Sequence, residues 1–300
     1  MDMTQNKCCR HGASLRRRRR RRRKILRSII FSCSIIAVAV FVAVGSRMIT
    51  SGDGGTNRYD VEAGNNTYNN AVIENSKISE KNKIQNEQSM LDDIMNSTQY
   101  PKQLQELALK NEEALEFVYD YPTEHVKEHT IDLTEEASMD SVPLFVQWDK
   151  RWGYEKYSGN FFAASGCGPT TLSMVVVYLT HNRDASPIAV AKYSKEAGYS
   201  VDGSGSSWTL ISEGCRHYGV KAKTVALDES RMKAEIDAGH PIVVNVGPGD
   251  FTDTGHFMVI TGYDDEGFSI NDPNSIEKSG KRWLFKNISS QIRAVWSMYV

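Results

Sequence analysis

The chain has 300 residues, with 36 Lys+Arg against 37 Asp+Glu, five Cys and 40% apolar residues. Residues 1–27 hold twelve basic groups and one acid, a net of +11, which leaves −12 for residues 28–300. That split excludes a uniform neutral domain and a nucleic-acid-binding body, because the part long enough to fold is acidic. The Cys show neither the paired doublets of a zinc ribbon nor the density of a disulfide scaffold.

The first predicted element is a membrane span. Eight consecutive arginines, Arg16 to Arg23, with Lys24 and Arg27, precede nineteen uncharged residues, Ser28 to Ser46. About 20 apolar residues cross a hydrocarbon core of roughly 30 Å. Positive charge stays in the cytoplasm, so residues 1–27 form an inside tail and everything after Arg47 lies outside. A cleaved signal peptide would have an apolar region of about 7–15 residues. This one is full length behind a long basic region, which favours an uncleaved signal anchor at the cell membrane. The arginine run reads as a topology signal; anionic lipid head groups are a second reading, and nucleic acid a third.

Residues 47–99 are poor in aromatics and rich in Asn, Ser, Glu and Lys, which predicts a flexible spacer with at most a short helix near Leu91 to Met95. Residues 100–140 read as a collar of short helices and a connector. Leu104, Leu107, Ala108, Leu115 and Val118 recur at helical spacing behind Pro101, and Asn111 precedes Glu112 and Glu113 as a second N-cap. Residues 141–300 are dense enough in turn signals and apolar runs for one domain. Helices are predicted over 169–180, 187–197, 206–218 and 229–238. Strands follow over 241–246, 256–263, 268–271 and 282–285. Helices first and strands later give an α+β class with an antiparallel sheet.

Beyond the predicted span, after Ser46, the only Cys are Cys167 and Cys215. Cys167 lies in Ser165-Gly166-Cys167-Gly168-Pro169-Thr170, directly before the apolar run from Leu172 to Leu179. The glycines permit a sharp turn and Pro169 suits a first helical turn, so the thiol meets a helix N-terminus, where free N–H groups favour thiolate. Cys215 sits within an apolar helical run and reads as structural. A thiolate nucleophile needs a base, normally His. Of the seven His, His256 alone opens an otherwise apolar strand, Phe257 to Ile260. It is either a satisfied core histidine or a catalytic one.

Asp272, in Asn271-Asp272-Pro273-Asn274 after the next strand, supplies the carboxylate to orient the imidazole. A three-residue loop ending at Gly267 would set Asp272 opposite Ile260, about 13 Å from His256 at 3.3 Å per residue. Asp272 then reaches His256 only through a bulge, strand twist or the turn at Pro273, and Asn271 is its stand-in.

Taken together, Gly166 to Thr170 before an apolar helix, Gly255-His256-Phe257 opening an apolar strand, and Asn271 to Pro273 after the next strand resemble the papain-like cysteine peptidases related to bacteriocin leader-processing peptidases. The resemblance runs from Val142 to Trp296. It implies a papain-like fold, Cys-His-Asp catalysis without metal or cofactor, and a Gln that helps bind the oxyanion. That role falls on Gln147, in the opening stretch Pro143 to Trp148. The leader-processing members have this Gln closer to the Cys and face the cytoplasm beside a transporter; here Trp152 to Ala164 intervenes and the domain is predicted outside.

The expected function is therefore a membrane-anchored thiol hydrolase acting on peptide or peptidoglycan-type amide bonds. Trp208, Gly166 and Gly255 are candidates to line the cleft. Acyl transfer to an amine and a non-catalytic sensor domain on the same fold are the alternatives.

Overall fold

A computed structural model of the chain describes residues 62–300, with side chains from residue 77 onward. The predicted tail and span, and residues 47–61 of the spacer, lie outside the described residues. Among the described residues no helix is long and apolar enough to cross a membrane. The chain divides into two units, residues 1–72 and 73–300. The described part of the first is the opening of helix α1, Glu62–Asn96.

That helix corrects the expectation of a spacer with one short helix near Leu91 to Met95. Scarce apolar residues argue against a buried core, yet a helix needs only favourable propensity and one anchored end. No Gly or Pro occurs between Gly64 and Pro101. Lys83 and Glu87 pair at 3.8 Å and the Gln88 amide donates to Asp92 at 2.6 Å, both one helical turn apart. Near the C-terminal end Ile94 is wholly buried, with Met90 and Leu91 packed beside it.

The collar begins with α2, Lys102–Lys110, whose N-cap is Pro101. A turn of 3-10 helix, Glu112–Ala114, leads into α3, Leu115–Tyr119. Asn111 accepts a hydrogen bond from the Glu113 N–H at 3.0 Å, as its N-cap position predicts. Leu104, Leu107, Ala108, Leu115, Phe117 and Val118 form one apolar cluster, closed by Phe161 and Ala163. The collar is thereby fixed to the approach to Cys167.

Two long helices follow: α4, Cys167–Thr180, and α5, Pro187–Glu196, capped by Ser186. The helix predicted over 206–218 is instead two short pieces, Thr209–Ser212 and the 3-10 turn Gly214–Tyr218. Close packing explains the break: a Cβ at Gly214 would lie 3.0 Å from the Tyr199 ring and 3.2 Å from Leu210.

The second half carries strands β1 (Lys221–Thr224), β2 (Ile242–Val246), β3 (His256–Asp264), β4 (Gly267–Asn271), β5 (Arg282–Trp283) and β6 (Ile292–Tyr299). Helix α6, Glu229–Asp237, lies between β1 and β2 in sequence, capped by Asp228. The six strands form one antiparallel sheet in the order β1-β6-β2-β3-β4-β5. The segment predicted as a strand over 282–285 keeps two strand residues and turns into a short helix at Phe285.

Both sheet faces are covered. Val243, Phe257, Val259, Trp296 and Met298 pack with Leu172 to Val177 of α4, while Ile242, Val244, Val246, Met258 and Ile260 pack with Met232 of α6. Alternate residues enter opposite cores, so β2, apart from Asn245, and the first half of β3, Phe257 to Ile260, read as apolar runs rather than alternating ones. The result is a mixed helix and sheet domain.

Candidate active site

Cys167 stands where two helices nearly meet. The short helix Phe162–Ser165 ends at Gly166, and α4 starts at Cys167 itself, two residues before the predicted start at Pro169. Gly166 is packing-critical, since a Cβ there would lie 2.6 Å from the Phe162 ring. Its carbonyl takes both the backbone N–H of Thr170 at 3.0 Å and the Thr170 hydroxyl at 2.8 Å, which locks the first turn. A Cβ on Gly168 would fall 2.5 Å from the Ser206 hydroxyl oxygen. The loop carrying Ser206 therefore lies directly against the turn that presents the thiol.

His256 opens β3 opposite Val246 and is buried. Its Nε2 lies 2.6 Å from Asp272 Oδ1, and Asp272 has no exposed surface. The sequence-based distance of about 13 Å fails for two reasons. The β3–β4 turn has two residues, Asp265 and Glu266, because Asp264 pairs with Gly267; and the register shifts again between Ile260 and Gly262. That bulge leaves Val259 opposite Asn271. One step further sets Asp272 across from Met258, about 6.6 Å along the strand from His256, a gap the two side chains close. Asn271, the stand-in, faces elsewhere: its Nδ2 donates to the carbonyls of Val142 and Pro143, each at 3.0 Å.

With Nε2 taken by Asp272, the other ring nitrogen is left to face Cys167, and each of the two groups shifts the pKa of the other. Burial alone would push the His256 pKa down. The Asp272 carboxylate overrides this through its charge and its hydrogen bond, and with the Cys167 thiolate holds His256 up to about 10. Burial likewise works to raise the Cys167 pKa. His256 and the backbone N–H groups of Phe257 and Gly168 outweigh it, so the thiol sits below its ordinary value. Each partner favours the charged form of the other.

Gln147 is buried beside both halves of this arrangement. Its backbone N–H donates to Pro273 O and its Nε2 donates to Ala163 O, both at 2.7 Å. The chain between Trp152 and Ala164 folds back through a hairpin pairing Lys156–Tyr157 with Asn160–Phe161. Gln147 thus bridges the segment leading to Cys167 and the segment following Asp272, and its Oε1 has no hydrogen-bond partner. Trp208 is 47% exposed and meets Trp296 edge-on at 6.0 Å. A Cβ on Gly255 would meet open space.

The sequence reading missed Tyr157, whose hydroxyl bonds Ser206 at 2.6 Å and Ser194 at 2.8 Å behind the turn at Gly168. Its only signal is a lone Tyr before a Ser-Gly turn, too common to single out. Among the described residues no group of acidic, His and Cys side chains has the clustering of a metal site.

No curated protein matches the chain. Solved structures that the chain resembles include the peptidase domain of Streptococcus ComA, a bi-functional ABC transporter; it is 20% identical, with a TM-score of 0.36 over 45% of this chain and 90% of its own. A C39-like peptidase candidate from Bacillus anthracis is 16% identical, with a TM-score of 0.34 over 53% of this chain and 95% of its own. A double glycine motif protease from an AMS/PCAT transporter is 17% identical, with a TM-score of 0.34 over 53% and 91%. The Peptidase_C39 like family model matches residues 139–300, which include every residue of the arrangement above. The chain belongs to the Peptidase_C39 like family, which points to a cysteine peptidase.

Proposed function

We propose that this chain is a membrane-anchored, extracytoplasmic thiol hydrolase that cleaves peptide or amide bonds through Cys167, His256 and Asp272. The observation that carries the reading is the 2.6 Å contact of Asp272 with His256 beside a thiol at a helix N-terminus. The Cys167 thiolate attacks the carbonyl carbon, and the carbonyl electrons move to oxygen. His256 then gives its proton to the leaving amine, and an acyl-enzyme remains. Water, deprotonated by His256, attacks the thioester and releases the acid and the thiolate.

The oxyanion would be held by the Cys167 backbone N–H, one of the first donors of α4 and so without an intrahelical acceptor, and by Gln147 Nε2. That nitrogen carries two hydrogens, and Ala163 O takes one. Trp208 and Gly255 suit a cleft rim, one offering an exposed ring and the other open space. Peptides, including those of the cell wall, are the substrate class. The +11 tail and the uncharged stretch over 28–46 support a single-pass anchor with the domain outside. Anionic head groups suit Arg16 to Arg23.

A peptide-library cleavage screen on the full-length protein tests the chemistry. Cleavage should vanish in Cys167→Ala; equal cleavage by that variant refutes the reading. Protease added to intact cells tests the topology: it should remove the domain and spare residues 1–27, and protection of the domain would place it inside.

A further inference from the structure

The segment that carries Asp272 is held from outside the family-matched residues. Asp272 continues through Pro273 and Asn274 into the short helix Ile276–Ser279, capped by Ser275. Asn111, at the junction between α2 and the following 3-10 turn, donates from Nδ2 to Asn274 O at 2.9 Å and to Asn274 Oδ1 at 3.1 Å. Glu113 accepts the Ser275 hydroxyl on Oε1. Its Oε2 accepts the backbone N–H of Ile276 at 2.7 Å and that of Glu277 at 3.1 Å. Hydrogen bonds from the family-matched domain reach the same segment through the Gln147 N–H at Pro273, the Trp148 indole at Asn274 and the Trp283 indole at Lys278.

These contacts connect to the site itself. The Asn274 N–H donates to Asp272 Oδ1 at 2.8 Å, the same oxygen that meets His256 Nε2 at 2.6 Å. A continuous path of hydrogen bonds therefore runs from Asn111 through Asn274 and Asp272 to His256. Its outer end is rigid: Asn111 Oδ1 is tied to the Glu113 N–H, and the flanking Leu107, Ala114 and Leu115 are buried in the collar cluster. A segment closed only by a turn drifts unless tied, and a catalytic carboxylate must be held to within about 0.5 Å to keep its imidazole aligned. The Glu113 carboxylate, accepting two backbone N–H groups and a hydroxyl, makes the stronger charge-assisted kind of hydrogen bond.

We infer that Asn111 and Glu113 are positioning residues for Asp272, so that the collar completes the catalytic unit rather than merely linking it to the N-terminal segment. This inference rests on the catalytic reading of Cys167, His256 and Asp272. The titratable groups facing His256 are Asp272, after β4, and Cys167, at the start of α4, with Tyr157 behind the thiol. A displaced Asp272 carboxylate removes the charge that lifts the His256 pKa, while burial, which lowers it, stays. The His256 titration and the alkaline limb of activity must then move to lower pH.

The test compares full-length wild type with Glu113→Ala, Asn111→Ala and the milder Glu113→Gln. The readouts are thermal melting, His256 titration by carbon-13 histidine NMR, and kcat and KM against pH on a peptide the wild type cleaves. Expected in the alanine variants are a downward shift of the His256 midpoint by about one pH unit, a fall in kcat of about tenfold with KM held within about twofold, and a parallel shift of the alkaline limb. Glu113→Gln, which keeps one acceptor oxygen, should shift in the same direction by less. An unchanged His256 midpoint in folded variants overturns the inference, whatever the melting temperature does. If the alanine variants do not fold, an unchanged midpoint in Glu113→Gln overturns it equally. Absence of any Cys167-dependent cleavage by the wild type would sink the catalytic reading instead, and the His256 titration, which needs no turnover, would still report whether the collar places Asp272.

Discussion

Cys167 and Cys215 belong to the same helical half of the domain and sit in opposite electrostatic settings. Cys167 is partly exposed at the first position of α4, facing His256 and two backbone N–H groups, and its pKa lies below the ordinary thiol value. Cys215 is wholly buried in the 3-10 turn Gly214–Tyr218, and burial, only partly offset by Arg216 and nearby N–H groups, pushes its thiol up to about 11. Burial opposes ionisation at both sites. What separates them is whether donors and a cation are arranged to outweigh it. A thiol's tendency to ionise depends on its address, and the helix start plus the opening of β3 provide one that lowers the Cys167 pKa.

Substitutions at the two addresses should diverge accordingly. The largest effect is expected from Cys167→Ala, which should cut kcat/KM by at least about a thousandfold while the melting temperature holds; persistent activity would erase the distinction. Asp272→Asn comes next, with a loss in kcat of about 10²–10⁴-fold. Its pH profile sharpens the point. On the proposed mechanism a thiolate–imidazolium pair is active between the Cys167 and His256 titrations, so the alkaline limb, expected near the His256 pKa of about 10, should move to lower pH when the carboxylate charge is removed.

Gly168→Ala probes the presentation of the thiol, because its Cβ would fall 2.5 Å from the Ser206 hydroxyl oxygen. Activity should drop about tenfold, and the double variant with Ser206→Gly should recover most of it; no recovery would mean the Ser206 contact is not the constraint. The smallest effect on activity belongs to Cys215→Ala. It should leave kcat/KM within about twofold and lower stability by about 1 kcal/mol, measured by denaturant unfolding.

Much of this arrangement is legible in the sequence because it depends on short-range chemistry. Gly-Cys-Gly-Pro ahead of an apolar run marks a helix start on any reading, and β2 and β3 announce themselves as buried apolar runs. The pairing of His256 with Asp272 is less visible. It depends on a two-residue turn and a bulge near Thr261, and moving the register by one or two residues displaces Asp272 by several ångströms. Strand β6, a neighbour of both β1 and β2, was not predicted. Arg293 and Ser297 interrupt its apolar residues and a register shift follows Ile292, so no clean period appears. Helix α1 escaped because composition reports how much surface can be buried, whereas helix formation there depends on missing breakers and an end anchored at Ile94. Glu113 reads locally as a first-turn acid, and nothing near it reveals a partner more than 160 residues away.

The most direct test of the account is the pH dependence of iodoacetamide alkylation, followed peptide by peptide by mass spectrometry in the full-length protein and in His256→Ala. The account predicts that Cys167 reaches half its maximal rate well below pH 8.5, roughly the ordinary thiol value, that the midpoint rises when His256 is removed, and that Cys215 stays unmodified in the folded protein. A Cys167 midpoint at the ordinary thiol value, unmoved by His256→Ala, would contradict it.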